Sequence, residues 1–281
     1  MPQPDRMLNI LRRAIDYVTR TPGRVGHLVH LQECTEVLVA GDLHGHIGNF
    51  QTIMKAADLA ANPTRHLVLQ EVIHSSFRYP NGGDKSHQLL DLFAALRCQY
   101  PTRVHLLPGN HEMAQMTGRP IGKGNESYNE MFVEGIRAAY GAAAADVNRA
   151  YTDLFRALPL ALRTPNGVFL SHTVIPARQL ALFRAEQLQQ EAYTDFDYQP
   201  GGVVYGLLWG RDTSQETVDE FLRKVDSDLL ISGHIPTDDG YLVPNTKQII
   251  VDCSASPAAY VLFPTDRPIT QADLIAGLMT F

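Results

Sequence analysis

Cysteine is scarce in this chain. Cys34, Cys98 and Cys253 are far apart, odd in number and form no CxxC pair. That argues against a disulfide framework and against a thiolate zinc knot. A reducing compartment fits, so the cytoplasm is the expected location. Long apolar runs are missing as well. No stretch approaches the roughly 18 residues that a membrane helix needs, and Met1 to Leu8 is polar, with no apolar signal core. Lys/Arg runs are also missing, and the formal net charge is -6. A nucleic-acid backbone is therefore excluded as a partner on electrostatic grounds. Charged residues make up only 19% against 44% hydrophobic residues, a balance that excludes disorder.

There is neither an internal repeat nor a long linker nor a composition break. One domain over residues 1–281 is the simplest reading, and the sequence leaves the oligomeric state open.

Asp5 to Thr19 carries apolar residues at helical spacing (Met7, Leu8, Leu11, Ile15, Val18) and is stopped by Thr21-Pro22-Gly23. Three apolar strands follow, around Val37–Ala40, His66–Gln70 and Val104–Leu107. Helical patterns separate them, at Ile47–Ala60 and Ser86–Tyr100. This order predicts a parallel, right-handed βαβαβ unit. The segment 121–159 reads as helical, as do Ala177–Ala192 and Thr270–Met279. Tyr241–Val243, Gln248–Asp252 and Ala259–Phe263 read as antiparallel strands joined by turns.

Chemistry gathers at the strand tips. Gly41-Asp42-Leu43-His44-Gly45 leaves the first strand, where ligands bind in open α/β sheets. Asp and His together suit a divalent ion of the Mn, Fe or Zn type. By itself the loop could equally be a tight turn with Asp42 capping the next helix. Further tips carry Glu71, then Gly109-Asn110-His111-Glu112, then His172, then Gly233-His234. So many metal-capable side chains at one sheet edge point to a two-metal site.

With those residues in view, the chain resembles the calcineurin-like metallophosphoesterases, and within them the phosphoprotein (serine/threonine) phosphatases. The matching pieces are Gly41–Gly45, Gly109–Glu112, His172, Leu207-Leu208-Trp209 and Asp226–His234. The resemblance implies a mixed α/β fold: a two-layer β-sandwich flanked by helices, with its metal site at the strand-tip edge. It implies Asp42 and His44 on one metal, and Asn110, His172 and His234 on another. One tip departs from the family pattern, with Gln70-Glu71-Val72-Ile73-His74-Ser75-Ser76 replacing Gly-Asp-x-x-Asp-Arg-Gly. Glu71 then falls at the bridging carboxylate, His74 at the Asp that orients the catalytic His, and Ser75 at a phosphate-binding Arg. Asp84 is a candidate surrogate for the lost Asp.

The implied reaction is hydrolysis of a phosphorylated substrate, a phosphoprotein or a small phosphoester. A hydroxide made by the metal pair attacks phosphorus in line. His111 is the general acid, Arg211 the first candidate for the phosphate clamp, and Arg78 and Arg119 its alternatives. Glu112 would anchor the loop, and Tyr260 loosely matches a late active-site Tyr. Two other functions compete. One is hydrolysis of nucleotides or dinucleoside polyphosphates on the same fold; the other is a catalytically impaired metal-binding protein. Glu186, Glu191, Asp195 and Asp197 lean slightly toward a basic peptide partner.

Overall fold

The computed structural model describes residues 3–281; Met1 and Pro2, at the head of the polar segment Met1–Leu8, lie outside the described residues. Two β-sheets lie face to face, and helices cover both outer surfaces. The smaller sheet carries Glu36–Asp42, Arg65–Gln70 and Val104–Leu107 as parallel neighbours. The larger carries Val168–Ser171, Leu229–Ser232 and Gln248–Val251, also parallel to one another.

Side-chain alternation explains why these strands read as nearly unbroken apolar runs. In the first strand, Val37 and Val39 enter the layer between the sheets, while Leu38 and Ala40 meet the outer helices. The other sheet repeats the pattern: Leu170 and Ile231 point inward, and Phe169 and Leu230 pack under the opposite helical layer. Both faces are buried, so apolar residues fill most positions on each. The parallel strands consequently deliver their carboxyl ends to one edge. There a backbone bridge between Asp42 and Asp252 ties the two sheets together.

Several local expectations change. Tyr241–Leu242 does pair antiparallel with Gln248–Val251, but Ala259–Pro264 leaves for the other sheet and pairs with Glu36–Asp42. The span read as one helix over Ala177–Ala192 holds only a short helix, Ala177–Leu180, and a 3₁₀ turn, Ala185–Gln189. Polar side chains take over the carbonyls a helix would use: Arg184 donates to Ala181 O, and Lys224 to Phe183 O. The segment 121–159 begins with a hairpin, Gly122–Lys123 against Glu126–Ser127, before the helices Tyr128–Tyr140 and Ala144–Ala157. The last helix stops at Ala276, because Leu278–Thr280 supplies an edge strand to Ala259–Pro264.

The first helix, Pro4–Thr19, is held by two guanidinium groups at its carboxyl end. Arg97, fully buried, donates to Tyr17 O (2.6 Å) and Val104 O (2.6 Å). Arg24 donates to Val18 O (3.0 Å) and Ala157 O (2.7 Å). Cations suit the negative ends of the two helices that meet here.

At the sheet edge opposite the strand tips, His66 Nδ1 and His105 Nε2 share a hydrogen bond of 3.0 Å. Burial and then Arg103 push His66 down to about 4; burial and then Arg97 push His105 well below its ordinary value. Both are neutral when folded and protonate more readily when unfolded. Their stabilising effect is therefore present above about pH 6.5 and lost as pH falls. Urea unfolding between pH 7.5 and pH 5 should lose on the order of 1 kcal/mol per pH unit for each histidine in the titrating range. The double variant His66→Gln, His105→Gln should flatten that slope; an unaltered slope would refute the assignment.

Candidate metal centre

Five strand tips meet at the bridged edge. Helix Ile47–Ala57 is not capped by Asp42: His46 Nδ1 accepts from Asn49 N–H (3.1 Å). Asp42 instead turns inward. Its Oδ2 accepts from His234 N–H (2.7 Å), and its Oδ1 has no partner. Beyond it, His44 Nδ1 faces Ile73 O at 2.8 Å. A carbonyl only accepts, so Nδ1 carries a hydrogen. Burial disfavours the charged ring, but Glu71 outweighs it and raises His44 to about 10, so Nε2 holds a proton that a metal ion would displace.

Glu71 occupies the middle. Its Oε2 lies 3.2 Å from His44 Nε2 and 3.7 Å from His172 Nε2, and its Oε1 accepts from His111 N–H (2.8 Å). His172 Nε2 is also 3.3 Å from Asn110 Oδ1, and His172 Nδ1 is 3.6 Å from Asp42 Oδ1. The His172 and His234 rings meet edge to face, 4.9 Å between centroids. Two groups of donor atoms result, each within a span of 4.8 Å: His44, Glu71 and His111, and Glu71, His172 and His234. Glu71 belongs to both.

The longer Glu fits because of Gly109. A Cβ there would stand 2.0 Å from Glu71 Oε1 and 2.3 Å from Cδ. The backbone is strained as well: His44, Glu71, His74 and His234 all have positive φ, between 32° and 69°. Such conformations are uncommon outside glycine and gather where function over-determines them. Glu112 stiffens the arrangement. Its Oε1 accepts from Val72 N–H and Ile73 N–H, and its Oε2 from Gly109 N–H (2.8 Å each to Val72 and Gly109). Buried and hydrogen-bonded to two tips, it locks the second tip to the third.

The electrostatics suit a cation. Burial and then Glu71 push the Asp42 carboxyl well above its ordinary range. Burial opposes the charge on Glu71 too, yet His172, His111 and His44 outweigh it and hold Glu71 well below the usual range. Burial holds His172 down to about 4 and His234 down to about 2, so both imidazoles are neutral. Neutral imidazole is the ligating form; Asp42 and His44, held up by burial and by Glu71 respectively, would each release a proton when a cation binds. Asp42 Oδ1, His172 Nδ1 and His234 Nε2 are all buried without a hydrogen-bond partner. Native interiors rarely leave such atoms orphaned. Their convergence is what divalent ions would satisfy, so the donor set fits the metals.

Around this centre the remaining candidates sort themselves. Arg211, exposed two residues past helix Val203–Trp209, lies within electrostatic reach of His172 and His234 and adds a little to burial in holding them down. Arg78 lines the hollow next to His111, whereas Arg119 stacks on Tyr205 and donates to Gln199. Tyr260 packs against Phe281. Asp84 does not take the missing Asp's place. It accepts from Ser75 N–H, Ser86 N–H and Ser86 Oγ–H, and so pins the loop. His74 itself contacts His111, Nδ1 to Nδ1 at 2.9 Å. A charged His74 would repel His111, but burial and then His111 hold it down to about 3. Sequence reasoning missed Gln115 behind His74, and also Gln70, whose buried Oε1 has no partner. Nothing in the local pattern marks either one.

The family model for calcineurin-like phosphoesterases matches residues 35–238, which contain all five tips. The chain belongs to the calcineurin-like phosphoesterases. The family is metal-dependent. Over 246 residues the phosphoesterase is 27% identical to a probable serine/threonine-protein phosphatase of Encephalitozoon cuniculi, a match covering 82% of this chain and 49% of that protein. The chain thus spans about half the length of that curated relative. Among solved structures, a protein serine/threonine phosphatase of Saccharomyces cerevisiae superposes with a TM-score of 0.68 at 17% identity, covering 100% of this chain and 89% of that one. A cold-active protein-tyrosine phosphatase of a psychrophilic Shewanella species gives 0.59 at 17% identity, covering 94% and 83%. At such identities the likeness concerns the fold: the helix-flanked sandwich expected from the motifs.

Proposed function

We propose that this phosphoesterase is a two-ion phosphomonoesterase acting on serine/threonine phosphoproteins. The observation that carries the reading is Glu71, the one side chain shared by both donor groups. Asp42, His44 and Glu71 would hold one divalent ion. Glu71, Asn110, His172 and His234 would hold the other. Manganese is the first candidate, with iron or zinc as alternatives. Bound there, the ions supply an activated water and positive charge for the phosphoryl oxygens.

The chain's own residues do the rest. His111 lines the hollow, and its Nε2, the ring nitrogen not turned to His74, gives its proton to the departing alkoxide. Arg211, within electrostatic reach of His172 and His234, clamps a phosphoryl oxygen with its planar fork. Glu71 Oε1 keeps His111 in line through its backbone N–H.

The hollow in front of His111 supports a peptide. It encloses about 490 Å³ and is lined by His44, Ser76, Arg78, Glu126 and Tyr128, among others. Apart from histidines, Tyr128 is its only aromatic wall, so a nucleobase would find little to stack on. The acids Glu191 and Asp195 line a different hollow with Arg156 and Tyr193, so they say nothing about this substrate.

The test offers the manganese-loaded protein a phosphoserine peptide and a dinucleoside tetraphosphate. A kcat/KM at least about tenfold higher for the peptide, a gap of about 1.4 kcal/mol in transition-state binding, is the expected outcome. The reverse preference would overturn the protein-phosphatase reading in favour of nucleotide hydrolysis.

A further inference from the structure

His111 is the second residue of the helix Asn110–Thr117, and Gln115 lies one turn on, on the same face. His74 sits between their side chains. Its Nδ1 meets His111 Nδ1 at 2.9 Å, and its Nε2 meets Gln115 Oε1 at 3.0 Å. His74 is buried. Its ring leans on Phe132 and Tyr128, each 5.9 Å between centroids, and its N–H donates to Ser86 Oγ (3.0 Å). Asp84 accepts in turn from that hydroxyl (2.9 Å). The ring therefore has no other place to go.

The order of hydrogens along this row follows from its far end. An amide oxygen only accepts, so His74 must carry its hydrogen on Nε2. His74 Nδ1 is then a bare lone pair and accepts from His111 Nδ1–H. That leaves His111 Nε2 as the atom facing the hollow. The opposite order would place a hydrogen from His74 on the line between the two Nδ1 atoms. His111 could then not take up a second proton, and would be useless as an acid. A carboxylate at the position of His74 would accept whatever its surroundings. A histidine accepts only if something else fixes its tautomer.

We infer that His74 and Gln115 are positioning residues: Gln115 sets the tautomer of His74, which sets that of His111 and leaves Nε2 free to carry the proton. The inference rests on reading His111 as the general acid. In the step it serves, the Nε2–H bond breaks and its electron pair stays on nitrogen. The proton forms an O–H bond with the leaving alkoxide as its bond to phosphorus breaks, and water supplies the new oxygen on phosphorus. The demand for that proton grows as the leaving group becomes poorer.

The test compares a phosphoserine peptide, a poor leaving group, with p-nitrophenyl phosphate, a good one. Gln115→Leu should lower kcat on the peptide by about 10–100-fold, the size of loss found when a partner that fixes the tautomer of a metal-bound histidine is removed, with KM little changed. The aryl phosphate should lose less than about threefold. Gln115→Glu keeps the acceptor and should restore the peptide rate. Equal losses on both substrates would mean a merely structural role and overturn the proposal. Long-range ¹H–¹⁵N spectra of the zinc-loaded wild type give a second reading, independent of activity. The His111 signals, identified by their loss in His111→Ala, should show the hydrogen on Nδ1 in the neutral ring. Hydrogen on Nε2 would overturn the proposal. A wild type inactive on both phosphoesters would remove the phosphomonoesterase reading, and the spectra would still decide the tautomer.

Discussion

Glu71→Gln should lower turnover of p-nitrophenyl phosphate by more than about 10²-fold, beyond the loss seen when only a supporting group around a metal is removed. It should also leave fewer than two ions on the purified protein. The substitution is nearly isosteric, so the side chain still fills the space that Gly109 leaves for it. It can still accept from His111 N–H. What disappears is one negative charge facing His44, His172 and both donor groups. A change of charge without change of shape separates ligation from packing. If Glu71 only formed a salt bridge with the histidines, the variant would keep its metals and most of its rate. Elemental analysis and steady-state kinetics on the same preparation distinguish the two.

His111→Ala should cost about 10²–10⁴-fold on a phosphoserine peptide, the usual worth of a placed general acid. The loss on an aryl phosphate should be much smaller, and the metal content should be unchanged. His111 does contact the centre: it belongs to one donor group with His44 and Glu71, and its ring lies 4.6 Å from that of His44. Two roles are thus open to its Nε2, as ligand or as acid. Retention of two ions in the variant assigns the acid role. Loss of an ion would make His111 a ligand, and an unchanged rate on the peptide would remove it from the reaction.

Much of this site was legible because it is built from strand ends. Apolar runs give the strands, and whatever follows each run is delivered to one edge of the sheets. Asp42, His44, Asn110, His172 and His234 could be collected that way with no knowledge of pairing order. The family resemblance gave them their roles. The allocation of strands between sheets was less legible. Gln248–Val251 and Ala259–Pro264 look alike in sequence, yet they join different sheets. Nothing in a period-2 pattern names the neighbouring strand.

The divergent tip was the hardest part. It was clear that Glu71 stands where a shorter carboxylate is expected. Its compensation lies 38 positions on, at Gly109, which the motif would have shown only as part of a familiar loop. A histidine in place of the orienting Asp would repel His111 only when protonated. Burial makes it neutral, and burial is a tertiary property. Gln115 carried no signal, since an amide on an amphipathic helix is ordinary. Its meaning comes only from the ring placed against it.

The most direct test of the account is the anomalous scattering of crystals grown with manganese. The account predicts two peaks at the strand-tip edge. One lies among Asp42, His44 and Glu71, the other among Glu71, Asn110, His172 and His234, with the Glu71 carboxylate touching both. A single peak, or two peaks with Glu71 on neither, would contradict it.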